Sequence, residues 1–428
     1  MSSQETCDSE SQPEEWGMHN SIFESRYRLN FARVLVLLEF IAILVSTSLA
    51  VVIEVLLYLT VFSSKDLLRR LYAIRNEPMI RMTLVWVVVL AASCLYTIAP
   101  SADLIDILPA WRKILILPIA AACFDAPVWK NRAIHIFFIT IAILLIISSL
   151  TWLLGLDFYK YRGGIIIANH ASQGMSFSVC IILALSLADM YKNQPIRRMG
   201  YFIIAAIAFL NIVFITPGRS GYLAMAVIIA AYVFFSISGI KKYFIAPALV
   251  LTVVLALGLS PTARKRIDLA VSEMKSYQTS DQFTSMGVRM VVWQNSLKLI
   301  REKPIIGYGT AAFVEAYKGA IAGQSGWQGQ VIKDPHNQFL RILVEHGIVG
   351  FLIFLLFIGS FFLQPTQDVF RCLGLSVLLT WCATSLFSSH FTTFFEGRFL
   401  LTWLGVFLAG SGRTPVPTRD PQELSPSP

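Results

Sequence analysis

The chain has 428 residues, of which 56% are hydrophobic and only 14% charged. Soluble domains run at about 45 to 50% apolar and about 25% charged, so an ordinary globular domain is excluded. The net charge of +9 is accounted for by membrane topology and anionic headgroups, and requires no nucleic-acid partner.

Residues 1–29 are polar and read as a cytoplasmic tail; no basic stretch followed by an apolar core precedes Asn30, so no cleavable signal peptide is expected and the first helix directs insertion. Apolar windows then predict twelve membrane spans, at roughly 30–45, 47–63, 82–98, 111–124, 132–154, 173–190, 199–216, 219–237, 243–259, 347–363, 367–388 and 395–410. The first two come from one apolar run divided where Arg33, Glu39, Ser46, Thr47, Ser48 and Glu54 interrupt it. The fold class is an all-α polytopic membrane protein. Alternate connections hold Lys65, Arg69, Arg70, Arg75 and Arg81, then Lys130 and Arg132, then Lys192, Arg197 and Arg198, then Lys241 and Lys242, then Arg371. The positive-inside rule puts that set and both termini in the cytoplasm. Residues 30–259 thus form spans one to nine, 260–346 a large outer segment, 347–410 spans ten to twelve, and 411–428 a cytoplasmic tail rich in Pro, Ser and Thr that is disordered by composition.

None of the six cysteines falls in the outer segment, so no disulfide is expected there, and no Cys/His metal spacing appears. That segment reads as a small helical layer. Val288, Val291, Val292 and Leu299 recur at helical spacing after Met286-Gly287, and the run stops at Lys303-Pro304. This first outer helix carries Arg289 beside Trp293; alone, it reads best as a solvated helical arginine. Asp334-Pro335-His336-Asn337 predicts a second helix, with Asp334 as N-cap, Pro335 in the first helical position and His336 in the first turn. A helix N-terminus disfavours a protonated imidazole whereas Asp334 favours it, so the proton-accepting state stays open. A capping or surface histidine is an equally good local reading.

Arg219 sits in Thr216-Pro217-Gly218-Arg219-Ser220-Gly221, a break between spans seven and eight. Its glycines would let a phosphate approach backbone amides beside a bidentate guanidinium, although an interfacial arginine reaching for headgroups reads similarly. Arg264, Lys265 and Arg266 could touch lipid phosphate, but the plainer reading is a surface anchor. Arg162-Gly163-Gly164 with Asn169-His170 could line a sugar site or be a flexible loop. Arg112 and Lys113 read as outer-face anchors, and Glu396 with Arg398 as a structural ion pair. No Asp-x-Asp pair, His-Glu-x-x-His or phosphate-binding glycine loop occurs, so neither a metal nor a nucleotide cofactor is suggested.

Taken in order, these elements resemble the O-antigen ligase family of bacterial envelope enzymes, within the group that includes O-antigen polymerases. The resemblance covers most of the chain: about a dozen helices, Gly218-Arg219-Ser220-Gly221, Gly287-x-Arg289 with Trp293, Lys303-Pro304-Ile305-Ile306-Gly307-x-Gly309, and His336-Asn337-x-x-Leu340 with Glu345-x-Gly347. Ala168-Asn169-His170 departs from it, having His170 where the family is expected to show Pro. What the resemblance implies is a GT-C-like fold, with spans nine and ten flanking a periplasmic helical segment, in the bacterial inner membrane. It implies metal-independent, inverting transfer of O-antigen polysaccharide from undecaprenyl pyrophosphate to lipid A-core. Arg219 and Arg289 would hold the pyrophosphate and His336 would orient or deprotonate the acceptor hydroxyl, with Arg264, Arg266, Asn337 and Arg162 as further substrate contacts and membrane lipids around them. A polymerase with the same donor is the nearest alternative, a protein glycan ligase a third variant, and a lipid-glycan flippase or transporter a more distant one.

Overall fold

The structure is a computed structural model that describes residues 12–157, 163–216, 218–276 and 283–410. The described residues are helical throughout and hold no strand. Helices α1 (Gln12–Val45), α2 (Thr47–Phe62), α3 (Lys65–Ala73), α4 (Pro78–Ser93), α5 (Ser101–Arg112) and α6 (Ile116–Cys123) come first, then α7 (Pro127–Leu153), α8 (His170–Met190), α9 (Pro195–Leu210), α10 (Arg219–Ser236) and α11 (Lys242–Leu259). After them come α12 (Pro261–Ser276), α13 (Ser285–Glu302), α14 (Phe313–Ala320), α15 (Gln338–Ser360), α16 (Asp368–Thr384) and α17 (Phe394–Phe407).

Six stretches are long and apolar enough to cross a bilayer: Pro127–Leu153, His170–Met190, Pro195–Ile215, Arg219–Ser236, Lys242–Leu259 and Gln338–Leu363. They correspond to expected spans five to ten. The other six windows fall on helices that are shorter or carry more charge. The expected division of the first apolar run is present at Ser46, whose hydroxyl accepts from the Leu49 amide and starts α2. α2 and α3 together qualify as one bent span of 91°, because Ser64 caps a new helix whose Lys65, Asp66, Arg69 and Arg70 are charged. α1 reaches upstream to Gln12, through residues expected to be tail. The expected disordered tail, 411–428, lies outside the described residues.

Side chains fix the interior. α8 is buried almost all round, between α9 and α10, and α16 lies against α10. The closest approach is Gly174 to Gly221, where a Cβ built on Gly174 would come within 2.6 Å of the Gly221 Cα; small residues let membrane helices meet this closely. A ladder of stacked rings, Phe40 on Phe137 at 3.5 Å and Trp403 on Phe399 at 5.7 Å, joins α1, α7 and α17. Two arginines inside this apolar layer share one carboxylate. Arg398 donates from Nε and Nη2 to Glu54 Oε2 at 3.0 and 2.8 Å, and Arg112 Nε donates to Glu54 Oε1 at 3.2 Å. Two readings are thereby corrected. Arg398 pairs with Glu54 and not with Glu396, which accepts from Ser172 instead. Lys113 is fully buried, its ammonium bonded to the Thr392 and Thr393 carbonyls at 2.8 and 2.6 Å, and so is no surface anchor.

The 260–346 segment holds α12, α13 and α14, and a separate hydrophobic core gathers Val288, Val292, Leu299, Phe313, Tyr317 and Val344. Arg289 lies on its second helix, α13, because α12 precedes it. Two of the motifs prove to be halves of one lock. The backbone of 304–309 runs along a break in α15: Tyr308 N donates to Val344 O at 3.0 Å, Gly309 N to Glu345 O at 2.7 Å, and Ile348 N to Pro304 O at 2.8 Å. Gly347 makes the break with φ +61° and ψ −165°, a region open almost only to glycine, and a Cβ there would lie 2.3 Å from the Ile305 carbonyl oxygen. Gly347→Ala is therefore expected to cost at least about 1–3 kcal/mol from backbone conformation alone. A fall in midpoint of detergent-solubilised protein by several degrees checks it; an unchanged midpoint would refute the lock.

Candidate active site

The start of α13 and the turn before α15 line one cavity, and the start of α10 reaches it through Arg219. α10 begins at Arg219 because Gly218, in extended conformation, ends the preceding turn. Beneath it, a buried polar network holds the break: Gln173 Nε2 donates to the hydroxyls of Ser148 and Thr216 at 3.1 and 3.0 Å, and Thr216 donates to Asn211 Oδ1 at 2.8 Å. The Gln173 carboxamide oxygen also accepts from the Ile166 and Ile167 amides at 2.7 and 3.1 Å, fixing the loop ahead of α8. Every polar end of Gln173 is thus used, as burial in an apolar layer demands.

α13 begins at Ser285 because the Thr284 hydroxyl accepts from the Gly287 amide at 3.2 Å. Ser285 joins the two expected arginines. Its hydroxyl accepts from Arg289 Nη1 at 2.7 Å and from Arg219 Nη2 at 3.3 Å. No salt bridge to either arginine occurs among the described residues, and Arg219 Nη1 and Arg289 Nε are buried without a hydrogen-bond partner there. Burial, with the nearby Arg219 charge, holds the Arg289 pKa below its ordinary value. An arginine still stays charged. Two like-charged forks with unspent donors have the hydrogen-bonding chemistry that an anion with several oxygens, such as a phosphate, calls for.

The third start differs from expectation. Asn337 is the N-cap of α15, its side-chain oxygen accepting from the Phe339 and Leu340 amides at 3.0 and 3.1 Å, so Asp334, Pro335 and His336 precede the helix. His336 is not in the first turn. Asn337 wins because two amides are within its reach, whereas Asp334 is engaged elsewhere, accepting from the His336 amide at 2.9 Å and the Ser389 hydroxyl at 2.6 Å. The Trp293 indole donates to the Pro335 carbonyl at 3.0 Å. These bonds hold His336 at φ +52°, a left-handed conformation that costs a non-glycine residue about 1–3 kcal/mol.

That turn places His336 in a cavity of about 420 Å³ with Arg289, Ser285, Phe283, Val288 and Ile332. Arg219 joins it through Ser285. Burial first, and then the Arg289 charge, lower the His336 pKa from its ordinary value, while Asp334 opposes them. The shift favours the neutral imidazole, the form able to take a proton.

Other expected contacts are arranged differently. Arg264 donates from Nε to the Gly258 carbonyl, and Arg266 is exposed on α12, which packs on α10 and α13. The Asn337 oxygen is occupied in capping, and Asn169 likewise caps α8. Arg162 lies outside the described residues, as does Pro217. Ser285, Ser389 and Gln173 were not singled out by sequence. Ser285 was within reach of it, standing four residues before Arg289 on one helical face; the other two act across the fold.

Fold and site together define a multi-pass membrane protein with a cationic, histidine-edged cavity suited to an anionic substrate. Residues 203–355, which contain Arg219, Arg289 and His336, match the O-antigen ligase family model. Over that segment the chain is similar to the O-antigen ligase family. It is similar to an uncharacterised protein of Haemophilus influenzae, 27% identical over 44% of this chain and 48% of that protein. A Rickettsia conorii protein provisionally named a polysaccharide ligase is 32% identical over 18% of this chain and 19% of that one. The ComP-specific O-oligosaccharyltransferase of Acinetobacter baylyi is 24% identical over 47% of this chain and 36% of that protein. The chain therefore spans about half or less of the length of the curated relatives it matches.

The opposing charges on His336 give a signed expectation. Arg289→Gln removes a cation and should raise the imidazole pKa toward about 6.5, whereas Asp334→Asn should lower it further. Because the folded value lies below the unfolded one, this group's contribution to stability is full above about pH 6.5 and is lost as pH falls toward the folded value. Imidazole NMR titration of the three proteins checks both directions; a fall in Arg289→Gln or a rise in Asp334→Asn would refute the assigned neighbours.

Proposed function

We propose that this protein is an O-antigen ligase, transferring O-antigen polysaccharide from undecaprenyl pyrophosphate to lipid A-core on the periplasmic face of the bacterial inner membrane. The observation that carries this reading is the convergence of Arg219 and Arg289 on Ser285, in the cavity that His336 lines, within the segment matching the family. On this reading the 260–346 segment is periplasmic, and α10 and α13 present their arginines to the pyrophosphate.

The chemistry needs little more. The acceptor hydroxyl oxygen attacks the anomeric carbon of the donor sugar, the bond from that carbon to the pyrophosphate oxygen breaks, and its electron pair leaves with the pyrophosphate. The two guanidiniums offset the growing charge on that leaving group, and the neutral His336 imidazole accepts the hydroxyl proton. Backside attack inverts the anomeric centre. No nucleotide or metal enters this scheme.

A second reading keeps the donor and changes the acceptor. The relative named as a ComP-specific O-oligosaccharyltransferase favours a hydroxyl other than that of lipid A-core, such as a protein's. A polymerase would use the end of a growing glycan.

Purified full-length protein given lipid-linked O-antigen and lipid A-core in EDTA should form capped lipopolysaccharide. His336→Ala and Arg289→Ala should each lower the transfer rate by at least about 100-fold while membrane insertion persists. Full activity of both variants would sink the site assignment, and longer lipid-linked chains in place of capped product would favour the polymerase.

A further inference from the structure

A second pair of cavities adjoins the same loop through Asp334 instead of His336. One, of about 370 Å³, is lined by Asp334, Asp103, Asp106, Arg341 and Thr392 among others. It meets a deeper cavity of about 240 Å³ at Ala110 and Thr392. Six residues line the deeper one, three of them cations: Arg112, Lys113 and Arg398, with no acid among the rest.

A structural ion cluster would use all its donors internally, and this one does not. Glu54 accepts from both arginines, but only through Nε of Arg112. The two Nη groups of Arg112 have no hydrogen-bond partner among the described residues, and its side chain is 36% exposed. Glu39 comes no nearer to Arg398 than 4.0 Å, and neither of its oxygens accepts a hydrogen bond among the described residues. Glu396 is engaged by Ser172. Lys113, fully buried, spends two donors on carbonyls and has a third. Of these cations only Lys113 and Arg398 are buried; Arg398 pairs with Glu54 at 2.8 Å and approaches Glu39 at 4.0 Å, which leaves the Nη groups of Arg112 and one Lys113 donor open to a further anion.

We propose that this cavity is a second anion site, taking a phosphate group of the acceptor; that last identification rests on the glycosyl-transfer reading. An acceptor anchored there would extend through the adjoining cavity toward Asp334 and the His336 loop. The leaving pyrophosphate and the acceptor phosphate then have separate receptors, which keeps their charges apart.

The test uses the full chain carrying Arg219→Gln and Arg289→Gln, which silence the first site, in phosphatidylcholine nanodiscs. Inorganic phosphate is titrated by phosphorus NMR, and phosphatidic acid is added by lipid exchange. Saturable binding of either probe, weakened about tenfold by Arg112→Gln, is expected. Binding of both identifies the phosphate group itself as the ligand; binding of phosphatidic acid alone identifies a lipid headgroup. Binding of neither, or binding indifferent to Arg112→Gln in a protein of unchanged melting midpoint, overturns the site. In the transfer assay, Arg112→Gln on the otherwise unaltered chain should raise the KM for acceptor and spare that for donor. Binding without that change overturns the acceptor identification alone, and absence of transfer by the unaltered protein overturns the ligase reading while the anion site stands.

Discussion

The constraint on which the site depends is repulsion between two guanidinium groups held on one hydroxyl. By their bonds to Ser285, the donating nitrogens of Arg219 and Arg289 are at most about 6 Å apart, where two unit charges repel by about 3 kcal/mol at an effective dielectric near 20. A flexible surface would let them part. Here Arg219 is fixed by the start of α10 over the Gln173 network, and Arg289 by a helix capped one residue before Ser285. The fold sustains the repulsion because each arginine comes from a different rigid element, and neither element can retreat without breaking buried hydrogen bonds.

The same logic governs His336. Its left-handed backbone is unfavourable in isolation, and four contacts over-determine it: Asp334 on its amide, Ser389 on Asp334, Trp293 on Pro335, and the Asn337 cap immediately after. Further along α15, the Gly347 break receives the 304–309 backbone, which ties the end of α13 to the helix that His336 precedes. Arg289 and His336 are thus held by opposite ends of one lock. Strain at the histidine and strain at the glycine serve one spacing.

What could be read from sequence was local. Apolar windows located the six full-length spans, serine and charge interruptions divided α1 from α2, and Lys303-Pro304 marked the end of α13. The choice of cap at α15 was misread because Asp334 and Asn337 are both good cap residues, and what separates them is tertiary: Ser389 engages Asp334 from 55 residues away. Glu54 and Arg398 are 344 positions apart, so no periodicity connects them, and Glu396 two residues from Arg398 is the more obvious partner on paper. Lys113 misled for the reason that makes it interesting: a lysine at a predicted helix end usually reaches for water, and this one reaches for the Thr392 and Thr393 carbonyls.

Those two carbonyls give the buried lysine its place in the architecture. They belong to the 389–393 turn, whose first residue, Ser389, holds Asp334, and Asp334 holds the His336 amide. A continuous chain of hydrogen bonds and short backbone therefore runs from the Arg112, Lys113 and Arg398 cavity to the backbone of the histidine. Any anion drawing Lys113 away from those carbonyls would loosen the turn that supports Asp334, and one that left them in place would stiffen it.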